Sequence, residues 1–135
     1  MNNIKPFNKF NEHVNNGKIL ICDKNTTLLR VLKMRFEKEG YDVVTVENGR
    51  DALDIINNDE DINLLITELL IPFLSGYELI NIIKNENKLI LPVLIISNGI
   101  DESIERAFKL GADDYVSKPF SVKELVLRSK KLLNS

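Results

Sequence analysis

The chain is poor in the residues that would make it a disulfide scaffold or a thiol enzyme. Its 135 residues include one cysteine, Cys22, and one histidine, His13. A chain of this length can bury about two-thirds of its surface on folding, so it needs no disulfide or metal staple. Cys22 ends the apolar run Ile19-Leu20-Ile21-Cys22 and reads as a small hydrophobe in a reducing compartment. Thiol catalysis is the weaker reading, because His13 stands in a polar N-terminal stretch. Neither sign of charge dominates: Lys+Arg 18 against Asp+Glu 20 leaves a net charge of -2. The basic excess expected of a direct nucleic-acid binder is therefore missing, as is an acidic tail. No apolar run reaches the roughly 20 residues that span a bilayer, and the start, Met1-Asn2-Asn3-Ile4-Lys5-Pro6, has no signal-peptide pattern. A cytoplasmic location without membrane contact is the expectation. The phosphate-cradling strings GxGxxG and GxxxxGK[ST] do not occur.

What the chain does have is an apolar content of 44%, rich in Ile, Leu and Val, enough for one core in one domain. Residues 1–17 are polar and Asn-rich, broken by Pro6 and Gly17, and are expected to form a flexible lead. The domain proper is expected over 18–135. Lys18–Cys22 is a short, continuously apolar run, the mark of a buried parallel strand. Thr26–Glu39 places Leu28, Leu29, Leu32 and Phe36 at helical spacing, and Gly40 stops it. Asp42–Glu47 is β-branched and extended, Asn48-Gly49 turns the chain, and Arg50–Asn57 is helical. Asn63–Thr67 is the third strand, and Leu69–Gly76 is a loop shaped by Pro72. A helix over Tyr77–Asn87 and a strand over Leu91–Ile96 follow, with Pro92 at the strand's opening. Next come a helix over Asp101–Leu110 with Asp101 as its cap, a strand over Ala112–Val116, and a last helix. Ser121 caps that helix, with Glu124 three residues on.

Five strands alternating with five helices imply parallel pairing and right-handed crossovers. The fold class is α/β: a doubly wound three-layer sandwich with strand order 2-1-3-4-5. Sites in such folds lie at the carboxyl ends of the strands. Those ends carry Asp23 and Lys24 after strand one, Glu68 after strand three, Ser97 after strand four and Lys118 after strand five. Any one of them alone reads as a solvated loop residue. All five together predict a shared pocket.

The run Gly111-Ala112-Asp113-Asp114-Tyr115-Val116-Ser117-Lys118-Pro119-Phe120 carries a further signal. So do Asn63-Leu64-Leu65-Ile66 leading to Glu68, then Pro72 and Gly76, and also Gly40-Tyr41, Asn48-Gly49 and Ala52-Leu53. On these motifs residues 18–133 resemble the receiver (CheY-like) domains of two-component response regulators. The resemblance implies a flavodoxin-like sandwich and a signalling role. In that family an Asp after strand three takes a phosphoryl group from a histidine kinase, and two acidic residues after strand one hold a divalent metal. A Ser or Thr and a Lys bind the phosphate, and an aromatic on strand five reorients on activation. Carried over by position, Asp23 keeps one acidic site, Ser97 the hydroxyl, Lys118 the lysine and Tyr115 the switch aromatic. The Leu70 carbonyl would complete the metal shell, and Lys118-Pro119 matches the family's cis peptide.

Two positions depart from the family. Lys24 replaces the second acid and offers no lone pair while charged, so Mg²⁺, which wants near-octahedral oxygen ligands, is expected to bind weakly at best, on Asp23, Glu68 and Leu70. Glu68 replaces the phosphate-accepting Asp, and its extra methylene moves the carboxylate by about 1.5 Å. A misplacement near 1 Å can cost about 100-fold in a transfer reaction. The expectation is a pseudo-receiver that is not an enzyme, has no resident cofactor and is not phosphorylated. Its pocket would be a fixed ionic latch, with Lys24 and Lys118 flanking Asp23 and Glu68 and Lys24 in the metal's place. The alternatives are a metal-dependent receiver that accepts phosphate on Glu68, with Lys24 turned to solvent, and a small flavin- or nucleotide-binding enzyme domain. Partners are expected on the face formed by helix four, strand five and helix five: another protein, a neighbouring output domain or a second copy. Glu102, Glu105, Arg106, Phe108, Lys109, Lys123, Glu124, Leu127, Arg128, Lys130 and Lys131 are assigned to that face. The chain's end at Ser135 fits either a stand-alone protein or a piece of a longer regulator.

Overall fold

The computed structural model describes residues 16–134. The strands are β1 (Lys18–Cys22), β2 (Asp42–Val46), β3 (Ile62–Thr67), β4 (Val93–Ser97) and β5 (Asp114–Ser117), all parallel and ordered β2-β1-β3-β4-β5. Between and after them run α1 (Thr26–Lys38), α2 (Gly49–Asn58), α3 (Gly76–Asn81), α4 (Asp101–Leu110) and α5 (Val122–Leu133). This is the doubly wound sandwich expected from the alternation of elements. Its layers follow from the period of two along each strand. Ile19, Ile21, Leu64, Ile66, Leu94 and Ile96 face α1 and α5, where they meet Leu32, Phe36 and Leu125. Leu20, Cys22, Leu65, Val93 and Ile95 face the other way, toward Ala52, Leu79, Ile83 and Ala107. The three central strands are thus apolar on both faces. Each fully buried Leu or Ile contributes about 1.5–3 kcal/mol.

Several boundaries differ from expectation, each for a local reason. β4 starts at Val93, and Pro92 lies just before it, its carbonyl accepting the Leu65 amide at 3.0 Å. The third helix starts earlier, because Ser75 and Glu78 form a reciprocal capping box. It changes at Ile82 into a π-helical segment, Ile82–Glu86, closed by the Asn87 amide on the Ile82 carbonyl at 2.8 Å. α4 is capped by Ile100 without a side-chain bond, and Asp101 lies in its first turn. Ser121 does cap α5, its hydroxyl accepting the Glu124 amide. The expected flexible lead, with His13 in it, lies outside the described residues except for Asn16 and Gly17. The Asn16 amide donates to the Gly40 carbonyl, and the Gly17 carbonyl accepts from Asp42, both at 2.9 Å.

The loop between β3 and α3 packs too tightly for side chains against the first residues of α2 and α3. A Cβ on Gly49 would stand 1.8 Å from the Leu74 carbonyl oxygen, and one on Gly76 would stand 2.5 Å from that of Glu68. Between them the chain makes a three-residue γ-turn, with the Leu74 amide on the Pro72 carbonyl at 2.8 Å and Phe73 at φ 69°. That backbone region is costly for a bulky side chain, about 1–3 kcal/mol.

Candidate functional site

The site forms where β1, β3 and β5 end. Asp23 directly follows β1, and its amide is tied to the Val46 carbonyl of β2. Glu68 directly follows β3, and its amide donates to the Cys22 carbonyl at 3.0 Å. The two carboxylates are therefore fixed through the sheet, and they are nearly sealed, at 1% and 6% exposure. Lys118 reaches both. Its Nζ lies 2.7 Å from Asp23 Oδ2 and 3.0 Å from Glu68 Oε1. The Lys118–Pro119 peptide is cis.

The remaining oxygens are also occupied. Asp23 Oδ1 accepts the Asn25 amide at 2.9 Å. Glu68 Oε2 accepts the Leu69 amide at 2.7 Å and lies 3.4 Å from that of Leu70. The Ser97 side chain bonds to the Glu68 carboxyl. All four carboxylate oxygens thus have a donor. Burial alone would raise the Glu68 pKa, but the hydrogen bonds from Ser97 and Lys118 and the lysine's charge outweigh it and hold the carboxyl below its usual value. Burial likewise works to lower Lys118, and the bonds to Asp23 and Glu68 outweigh it and raise the ammonium's pKa. Glu68 and Lys118 are therefore both favoured in their charged forms. Cys22 lies beneath the site, fully buried, its thiol pushed up to about 12 chiefly by desolvation. A thiol held neutral in this way is no nucleophile.

The structure brings together Asp23, Glu68, Ser97 and Lys118. Lys24 is exposed. It lines the open cleft of about 380 Å³ above the carboxylates with Asn25, Leu70, Asn98 and Lys118, but among the described residues it joins no ion pair. Only one of the two flanking lysines makes the bridge, because the Lys24 side chain extends to solvent while Lys118 is directed inward from the end of β5. Tyr115 is half-buried against the core cluster under α2, α3 and α4, and its hydroxyl accepts the Gly99 amide at 3.2 Å. Sequence reasoning missed the amides of Asn25, Leu69 and Leu70, since backbone donors leave no trace in residue identity.

The face formed by α4, β5 and α5 is smaller than its assigned residues. Arg106 stacks on Tyr77 of α3 at 4.0 Å from the ring centroid, and Lys130 reaches across to Glu39 beside α1 at 2.7 Å. Arg128 stays on the face, with Nη1 3.1 Å from both Asp114 oxygens and Nε on Glu124. Phe108 and Leu127 are exposed there.

Residues 19–130 match the response regulator receiver domain family. The chain belongs to that family. It is 37% identical over 116 residues to response regulator SaeR of Staphylococcus aureus, which covers 85% of this chain and 50% of SaeR. The chain thus spans about half the length of the curated relatives it matches. Among solved structures, the Francisella response regulator 1452 receiver domain superposes with a TM-score of 0.81 at 31% identity, covering 87% of this chain and 97% of that one. A two-component response regulator from Clostridium difficile gives 0.81 at 27% identity, covering 87% and 96%. The chain is therefore a receiver domain of two-component signalling. Among its described residues no helix is long and apolar enough to cross a membrane.

Proposed function

We propose that this receiver domain works by docking alone, its pocket held by a permanent ionic bridge and not by phosphoryl transfer. The observation that carries the reading is Lys118 Nζ lying within 3.0 Å of both buried carboxylates. The donor set is also a poor match for a divalent ion. Each carboxylate oxygen already has a protein donor, the position after Asp23 is a cation, and among the described residues no three acidic, Cys or His side chains gather. Mg²⁺ would have to displace Lys118 to gain two carboxylates, fewer charged ligands than the family's site offers. Without the ion, the charge spread over a transferring phosphoryl group lacks its main stabiliser. The domain would therefore perform no chemistry of its own in the cytoplasm. The Gly99 amide on Tyr115 supports one fixed orientation of that ring. Partner contact would run through α4, β5 and α5, where Leu127, Phe108 and Arg128 are exposed and mixed in character.

Incubation with acetyl phosphate and Mg²⁺, followed by intact-mass measurement, tests the reading. The native chain is expected to keep its mass. The double variant Lys24→Asp with Glu68→Asp restores both family positions and is expected to gain one phosphoryl group and a measurable Mn²⁺ affinity. A phosphoryl adduct on the native chain that disappears in Glu68→Gln would overturn the proposal and favour the reading in which Glu68 still accepts phosphate.

A further inference from the structure

The γ-turn at Pro72–Leu74 poses a problem that the pocket does not answer. Phe73 adopts φ 69°, a conformation that glycine would supply without strain. The strain does not serve the core, because the residue is 75% exposed. Its neighbours Ile71 and Leu74 supply the inward packing. A strained position whose side chain adds little to folding suggests a use on the outside. The ring is also preorganised from one side, since the Arg50 guanidinium lies 5.5 Å from its centroid. The loop is pinned by the Gly49 amide on the Pro72 carbonyl at 3.1 Å. Leu70 of the same loop is 67% exposed and lines the cleft together with Lys24. Among the described residues neither Lys24 nor Arg50 forms an ion pair.

Two outward apolar side chains flanked by two unneutralised cations define the chemistry of what fits. We infer that the β3–α3 loop is a second docking surface, with Phe73 as its aromatic anchor. Its occupant is an acidic protein segment that sets an apolar side chain between carboxylates. The apolar side chain would cover Phe73 and Leu70, and the carboxylates would meet Arg50 and Lys24. A cation already stacked on the ring loses less freedom on pairing, so the anchor and its charge act together. This surface is separate from the α4, β5 and α5 face, and it stands whether or not Glu68 accepts phosphate.

The test uses the full chain and two blocked hexapeptides, Glu-Glu-Leu-Phe-Glu-Glu and its counterpart with Lys in place of every Glu, followed by amide chemical shifts. The acidic peptide is expected to move the amides of residues 69–75 and of Gly49 and Arg50, and the basic peptide to leave them in place. Phe73→Gly is expected to weaken the acidic peptide at least about tenfold while the melting temperature does not fall, because the strain goes with the ring. Arg50→Glu is expected to reverse the preference between the peptides. The inference is overturned if the shifts fall on α4 and α5, if Phe73→Gly binds as the native chain does, or if Phe73→Gly melts lower, which would make the ring a structural element.

Discussion

Two basic side chains in this domain each hold two carboxylates, and they do so under opposite conditions. Lys118 sits between Asp23 and Glu68, both nearly sealed from water, and backbone amides fill the remaining oxygens. Arg128 sits between Asp114 and Glu124 on the outer face of β5 and α5, with much of its side chain in solvent. The two groupings use similar charges at similar distances. In the first, separating the charges leaves a largely desolvated carboxylate that the water of the cleft only partly compensates. In the second, water and salt take the partner's place at little cost. On the proposed reading, the bridge in the pocket is a fixed part of the fold. On the same reading, the pair on the face is the one a partner protein would exchange for its own contact.

Removing Lys118 should break this contrast most sharply. Lys118→Met leaves two buried carboxylates facing each other, and we expect a loss of about 2–4 kcal/mol in urea unfolding at neutral pH, the lower part of that range reflecting the cleft's access to water. The double variant Lys118→Met with Glu68→Gln should recover part of the loss, because one buried charge is gone. Full additivity would show that the two groups are not coupled.

Acid should produce the next effect. The Glu68 pKa is lowered in the folded protein from its usual value near 4.5. Its contribution is thus fully present above that value and disappears as the pH falls through the lower, folded pKa. Lys118 behaves in the opposite way. Its pKa is raised above 10.5, so its contribution is complete below that value and is lost as the pH rises through the folded pKa. Unfolding measured from neutral pH down through the carboxylate range should fall less steeply for Glu68→Gln than for the native chain. Equal slopes would assign the acid sensitivity to other carboxylates.

The smallest effect is expected on the outer face. Arg128→Ala should change stability by about 0.5 kcal/mol or less, and less still at high salt. Charge reversal, Arg128→Glu, should instead alter association, read by sedimentation over a concentration series. Association unchanged in that variant would count against α4, β5 and α5 as the docking face.

Much of this contrast could be read from residue order. The apolar runs of β1, β3 and β4 are continuous because both sheet faces are covered, and that pattern set the topology and the strand ends. Asp23, Glu68, Ser97 and Lys118 meet because each lies at or just beyond a strand's carboxyl end. What sequence could not show was direction. Lys24 and Lys118 are the same residue type at comparable loop positions, yet one is exposed and the other bridges. Arg106 and Lys130 looked like surface charges of one face and turned to Tyr77 and Glu39 on others. The π-helical segment Ile82–Glu86, closed by the Asn87 amide on the Ile82 carbonyl, is something apolar periodicity does not encode. The capping box of Ser75 and Glu78 is also a spacing of three in the sequence, and the expected start at Tyr77 overlooked it.

Cys22 has a practical consequence of its own. It is the chain's sole thiol, is fully buried next to Asp23, and desolvation pushes its pKa up to about 12. Maleimide and spin-label reagents should pass it by in the native protein. A cysteine introduced at an exposed position such as Leu127 would then be the single reactive handle. Probes could report on either proposed docking surface while the native thiol, and the packing around it, stays untouched.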